Sequence, residues 1–307
     1  MKRDEIKRMK SIACITIILI SFCLPNIASA QQPDSAMYYF AAHQDDWQLF
    51  MSANAWNDVV KSKFHTVFIT VIAGDAGNGP DKFGTGLIPY YVARENGSIL
   101  SAKFLVDVNS PGESIKGEYV VVNGHKMYRY IYKNVTCYYL RLPNAHGNGE
   151  GYAKTHNQTL KKLHDGSIRT IQTIDGVSTY NSWDDLTSTL LKIVETEKGN
   201  AKAGWVNVPE TDETINKNDH SEHLFTSHAA QDAVKNSAWL DIRSYIDYYS
   251  GKLAPNLTIE QTENAAMLHT CDVVGMINGG YESNWNEEHK AWLDKDYFRI
   301  VRYPKKQ

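Results

Sequence analysis

The chain has 307 residues, with 32 Lys and Arg against 35 Asp and Glu and a formal net charge of −3 at pH 7. Its basic residues are scattered rather than gathered with aromatics, so it lacks the electrostatic footprint of a phosphate-backbone binder and no nucleic-acid partner is expected. There is no internal repeat, low-complexity tract or Pro/Ser-rich linker, and the length suits one α/β domain with a sizeable core.

In chain order, Lys2, Arg3, Lys7, Arg8 and Lys10 precede an apolar run from Ile12 to Leu24, and Ala28-Ser29-Ala30 follows. This is the pattern of a secretory signal peptide cut after Ala30. The run is too short for a membrane span of ~20 residues, and Phe22 is bulky where a lipoprotein signal wants a small residue before Cys23. Residues 1–30 are therefore expected to be a leader, and residues 31–307 a single secreted or periplasmic domain with no membrane association. Cleavage removes five basic and two acidic residues and changes the net charge from −3 to −6. Cys137 and Cys271 would remain, open to pairing or to burial as thiols. Cys137 alternates within an apparent strand, where it packs.

Tyr38 to Ala42 reads as a strand that delivers His43-Gln44-Asp45-Asp46-Trp47. Gln48 to Lys61 has helical apolar spacing, Thr66 to Ala73 is a β-branched run, and this strand-helix-strand order predicts a parallel crossover that brings Gly74-Asp75 beside the first turn. A helix is predicted from Pro89 to Leu105, a hairpin through Asn123-Gly124 on a sheet edge, and a strand from Val135 to Leu140. Ser182 caps a helix running to about Glu197, and a strand Trp205–Val208 leads through a loop to a helix at about Glu222–Asn236. Ile242–Tyr249, a helix Ile259–Met276 and a weakly patterned tail before Phe298–Val301 complete the chain. The loops around 74–86 and 143–157 are expected to form the mouth of a site.

His43 and Asp46 stand three apart at the end of a strand, where open α/β sheets bind ligands. Imidazole and carboxylate are ordinary zinc donors, and a catalytic zinc takes three protein ligands plus an open position. The best source of the third is Asp219-His220-Ser221-Glu222-His223, which holds two imidazoles three apart. Taken alone, a His-x-x-Asp turn is more often a capping or hydrogen-bonding arrangement than a metal site, and it is the combination with the second His-x-x-His turn that points to a metal. Asp75 reads first as satisfying backbone amides in a Gly-rich turn and second as a substrate-binding rim residue. Arg94 reads first as a solvated neighbour of Glu95 and second as a substrate contact. Trp47 is expected at the site, binding substrate. His146 borders the pocket or lies on the surface with His156 and His164, and His228 faces elsewhere. No Gly-x-Gly-x-x-Gly follows a strand, which argues against a nicotinamide or flavin site.

His43-Gln44-Asp45-Asp46 resembles the His-Pro-Asp-Asp signature of the zinc-dependent N-acetylglucosaminyl deacetylases of the PIG-L or LmbE-like family, and His220-Ser221-Glu222-His223 resembles that family's later His-Pro-Asp-His motif. Gly74-Asp75-Ala76-Gly77, Ala93-Arg94-Glu95 and Leu140-Arg141-Leu142-Pro143 are similar to intervening segments, so the resemblance spans roughly residues 37 to 235. It departs at Gln44, where the signature has Pro, and at Trp47, where Glu is common. The resemblance implies a Rossmann-like three-layer α/β sandwich with a mostly parallel sheet and an antiparallel edge hairpin. It implies Zn²⁺ or another divalent metal on His43, Asp46 and His223, Asp45 as general base, and His220 on the opposite side as a protonated donor to the oxyanion. The implied activity is removal of an acetyl or similar acyl group from an amino sugar or related amine. A metal-dependent esterase or phosphoesterase, or a catalytically silent glycan-binding protein on the same fold, are the alternatives.

Overall fold

The computed structural model describes residues 34–77, 86–112 and 116–302. The expected leader, residues 1–30, lies outside them, as does most of the loop expected at 74–86. β1 (Ser35–Ala41) is buried on both faces: Tyr38 and Phe40 enter one core, Met37 and Tyr39 the other. A strand covered on both sides can dispense with polar alternation, which is why this one reads as a continuous apolar run.

After β1 come α1 (Asp46–Phe50), α2 (Ser52–Trp56), a π-helical turn over Asn57–Lys61, and β2 (His65–Ile72), which is parallel to β1. The single helix expected over 48–61 is therefore interrupted at Met51, whose φ of −130° and ψ of 12° leave the helical region. The break serves two burial demands. Phe50 packs on Tyr248 and Trp292, while Val59 and Val60 join the core beneath the sheet.

α3 (Tyr90–Asp107) leads to the hairpin β3 (Lys116–Val122) and β4 (His125–Tyr132), and then to β5 (Val135–Leu142), parallel to β2. Asn123 and Gly124 both have positive φ, as a type I′ turn requires. Next come α4 (Leu160–His164), a separate small sheet of β6 (Ile171–Gln172) and β7 (Thr179–Tyr180), α5 (Trp183–Glu197) capped by Ser182, and β8 (Ala203–Pro209). α6 (Ser221–Val234), β9 (Leu240–Tyr245), α7 (Ile259–Asn278), α8 (Glu287–Trp292) and β10 (Phe298–Val301) complete the order.

The large sheet runs β10-β9-β8-β1-β2-β5-β4-β3, parallel from β9 to β5 with an antiparallel strand or hairpin at each edge. Helices α5 and α6 cover one face and α1, α3 and α7 the other, so the expected three-layer α/β sandwich is present. The chain leaves β1 toward β2 on one side and later enters β8 on the other, so a crevice opens where these two adjacent strands end. α3 and α7 meet through glycine: a Cβ on Gly275 would lie 2.2 Å from Gly97 Cα. Cys137 and Cys271 are both free thiols, and burial pushes Cys137 up to about 12, consistent with packing. Among the described residues no helix is long and apolar enough to cross a membrane.

Candidate metal centre

The two motifs follow β1 and β8, so sheet topology alone carries them to one crevice. Asp46 opens α1, and its Oδ2 accepts the backbone N–H of His43 at 2.7 Å. That bond fixes the carboxylate, leaving Oδ1 3.5 Å from His43 Nδ1 and 3.4 Å from His223 Nε2. The two imidazole nitrogens are 3.3 Å apart. Donors held about 2.0–2.1 Å from zinc at tetrahedral angles are separated by about 3.3–3.4 Å, so His43, Asp46 and His223 fit one ion without rearrangement.

Each imidazole is held from behind. His43 Nε2 lies 2.8 Å from Glu222 Oε2, and His223 Nδ1 lies 2.9 Å from Asp219 Oδ1 and 3.2 Å from Asp247 Oδ2. A carboxylate on the outer nitrogen sets the tautomer and raises the basicity of the inner one, as in metal sites generally. Glu222 is itself anchored by the Ala145 N–H at 2.5 Å and by Asn144 Nδ2 at 3.2 Å.

Electrostatics points the same way. Burial favours neutral imidazole, yet Asp46 and Glu222 outweigh it and push His43 up to about 9; Asp219 and Asp46 likewise raise His223 well above the usual range. Burial also acts to raise Asp46, but His223 and His43 hold it well below the ordinary carboxylate value. Asp247 goes up, through burial and the charge of Asp219. Four carboxylates, those of Asp46, Glu222 and Asp247 buried and that of Asp219 partly so, thus face two imidazoles, and among the described residues no Arg or Lys pairs with them. A divalent cation would supply compensating charge from a single point.

A cleft of about 210 Å³ opens over His43, Asp45 and Asp46, walled by Arg94, His220 and Tyr248. Asp45 Oδ1 accepts from Arg94 Nη2, whose Nη1 also reaches Gly74 O at 3.3 Å. Burial acts to raise Asp45, and the guanidinium brings it below the usual range. Arg94 is therefore neither solvated nor open to substrate on that side: it holds Asp45. Gly74, with φ of +64°, is required here, because a Cβ would lie 2.3 Å from Gln44 Oε1 and 2.6 Å from Arg94 Nη1. Gln44, standing where the resembled signature has Pro, donates Nε2 to Ala73 O at 2.8 Å and ties the first turn to the end of β2.

Three expectations need correction. His220 caps α6, its Nδ1 accepting the Glu222 N–H at 3.2 Å, and burial together with His43 lowers it to about 4. It is a neutral ring with its proton on Nε2, not a protonated donor. Trp47 is completely buried, packed on Phe68 with centroids 4.2 Å apart and donating Nε1 to Ser98 Oγ, so it has no face to offer substrate. Asp75 is buried away from the cleft wall. Its N–H donates to Asn144 Oδ1 at 2.6 Å, supporting the residue that holds Glu222.

His146 is exposed against Tyr152, and His228 lies beside His164, away from the cleft. The residues that sequence reasoning passed over are Asp219, Glu222 and Asp247, together with a C-terminal wall of Tyr248, His289 and Trp292. Asp219 and Glu222 were visible inside the second motif. Asp247 and the wall carried no local signal.

No family model and no curated protein matches this sequence. Among solved structures, the chain is similar to N,N'-diacetylchitobiose deacetylase from Pyrococcus horikoshii complexed with its inhibitor MPG, at 13% identity over 87% of this chain and 84% of that one, with a TM-score of 0.45. It is similar also to the zinc-inhibited form of teicoplanin deacetylase Orf2, at 12% identity over 79% of this chain and 85% of that one, TM-score 0.42. A triple mutant of that deacetylase matches at 14% identity over 80% of this chain and 84% of that one, also with a TM-score of 0.42. These three structures represent two deacetylases, at 12–14% identity.

Proposed function

We propose that this chain is a metal-dependent amide hydrolase of the PIG-L type, which removes an acetyl or similar acyl group from an amino sugar or related amine outside the cytoplasm. The observation that carries the reading is the mutual 3.3–3.5 Å spacing of three donor atoms from His43, Asp46 and His223, with a carboxylate behind each imidazole. Zinc suits a His₂-Asp set, although affinity order alone admits other divalent ions. His43, Asp46 and His223 would hold such an ion, whose chemistry when bound would be polarisation of an acyl oxygen and a lowered pKa for water.

The remaining work belongs to side chains. Asp45, adjacent to the donor set and oriented by Arg94, takes the proton of the attacking water as base. His220, neutral with its proton on Nε2, donates a hydrogen bond to the oxygen that gains charge. The aromatic wall excludes bulk water and so strengthens both interactions.

The test is Asp45→Asn, assayed for acetate release from N-acetyl sugars alongside measured metal content and a panel of phosphoesters. Turnover is expected to fall by about 10²–10⁴ with metal retained. An active Asp45→Asn protein would refute the base, and phosphoester cleavage without acyl release would refute the reaction class.

A further inference from the structure

His289, on α8, lines the same cleft as Asp45, Arg94 and His220, in a part of the chain that the motifs do not reach. Its Nδ1 lies 3.0 Å from Nε2 of His269 on α7. His269 is fully buried, and its Nδ1 has no hydrogen-bond partner among the described residues. Burial lowers both rings, His269 to about 4, and so favours the neutral form of each.

One proton lies between the two rings, and there are two ways to place it. If His289 Nδ1–H were the donor, neutral His269 would carry its own proton on Nδ1, burying an N–H with no acceptor. If His269 Nε2–H is the donor, the orphan is only a lone pair, and orphaned buried N–H groups are the rarer of the two. The second arrangement puts the proton of His289 on Nε2.

The surroundings give that N–H a purpose. Tyr248 and Trp292 stack with centroids 4.9 Å apart and 7° between planes, and the indole is committed to the wall by its bond to Tyr248 O. Glu288, exposed, adds an acceptor at the rim. An aromatic wall edged by this N–H, the Tyr248 hydroxyl and an acceptor at the rim matches a ring that carries hydroxyl groups.

We propose that His289 presents a neutral Nε2–H as the recognition donor for a hydroxyl oxygen on the amine-bearing part of the substrate, and that His269 is the positioning residue that fixes this tautomer. The inference rests on the hydrolase reading for the kind of ligand the cleft takes, but its test does not need turnover. Glucosamine and cyclohexylamine, which share a six-membered ring and an amine but differ in hydroxyls, are titrated into the full chain by calorimetry. His289→Ala is expected to weaken glucosamine by about tenfold and leave cyclohexylamine unchanged. His289→Gln, whose amide N–H reaches the Nε2 position without a tautomer, is expected to stay within about threefold of the parent. His269→Leu alone should weaken glucosamine, and His269→Leu with His289→Gln should restore it, a rescue that a merely structural role would not produce. Nitrogen NMR of the parent protein reports the tautomer directly, so the inference stays testable even where a variant fails to fold. Unchanged glucosamine affinity in His289→Ala, a protonated Nδ1 on His289, or a parent that binds neither amine would each overturn it. Acyl release by that same parent would leave the hydrolase reading standing, whereas amine discrimination without acyl release would sink that reading alone.

Discussion

Two buried charged clusters sit near the same end of the sheet, and they solve the burial of charge in opposite ways. Around Arg141, a permanent cation of the chain donates Nε and Nη2 to Glu95 at 2.7 Å each and Nη1 to Asp175 at 2.8 Å, with Tyr91 and Tyr128 against its face. Around His43 and His223, four carboxylates converge on two imidazoles that are cationic only if protonated. Burying an uncompensated carboxylate costs several kcal/mol. A cluster that supplies its own cation is a fastening. One whose only cations are imidazoles, which can give up their protons, leaves room for a cation from outside.

The comparison is broken most directly at its two centres. His223→Ala removes a donor from the ion site and is expected to abolish tight metal binding and lower acyl release by on the order of 10³, read from metal analysis and acetate assays. Full activity with metal retained would dissolve the distinction. Arg141→Met leaves Glu95 buried without its partner and should cost about 3–5 kcal/mol in denaturant unfolding, while metal content stays at parent level. Loss of metal in this variant would mean that the two clusters are one.

A finer cut separates the donors from what holds them. Glu222→Gln keeps the shape behind His43 but withdraws the charge, and metal affinity is expected to drop about 10–100-fold in chelator competition. The smallest effect belongs to Trp47→Phe, which loses the bond to Ser98 and some packing volume. About 1–2 kcal/mol of stability should go with KM unchanged; a shifted KM would restore Trp47 to the substrate.

Much of this was legible along the chain. Runs such as Thr66–Ala73 and the hairpin turn at Asn123-Gly124 are set by local sterics and two-sided burial, and they came out within a residue or two of β2 and the β3–β4 turn. His43 and Asp46 were readable because they follow an apolar run, and the second motif because it holds two imidazoles three apart; that His223 rather than His220 completes the set was implied by the resemblance. What failed depended on contacts across the fold. Trp47 directly follows Asp46 in sequence, yet it lies in the first turn of α1 and is completely buried; Arg94 reads as surface until Asp45 is seen beside it. α8 is only six residues long, too short to announce itself by periodicity, and with it went the wall that carries His289.

The sequence by itself determined which residue types could serve as metal donors, and that a strand end would present one pair and a helix start the other, because strand, turn and helix formation answer to neighbours a few positions away. Only the tertiary structure decided how those residues act. His43 meets its carboxylate 179 residues further on, and Asp247 reaches His223 from beyond the next strand. Charge state, tautomer and aim are properties of the enclosed space, and that space exists only once β1 and β8 lie side by side.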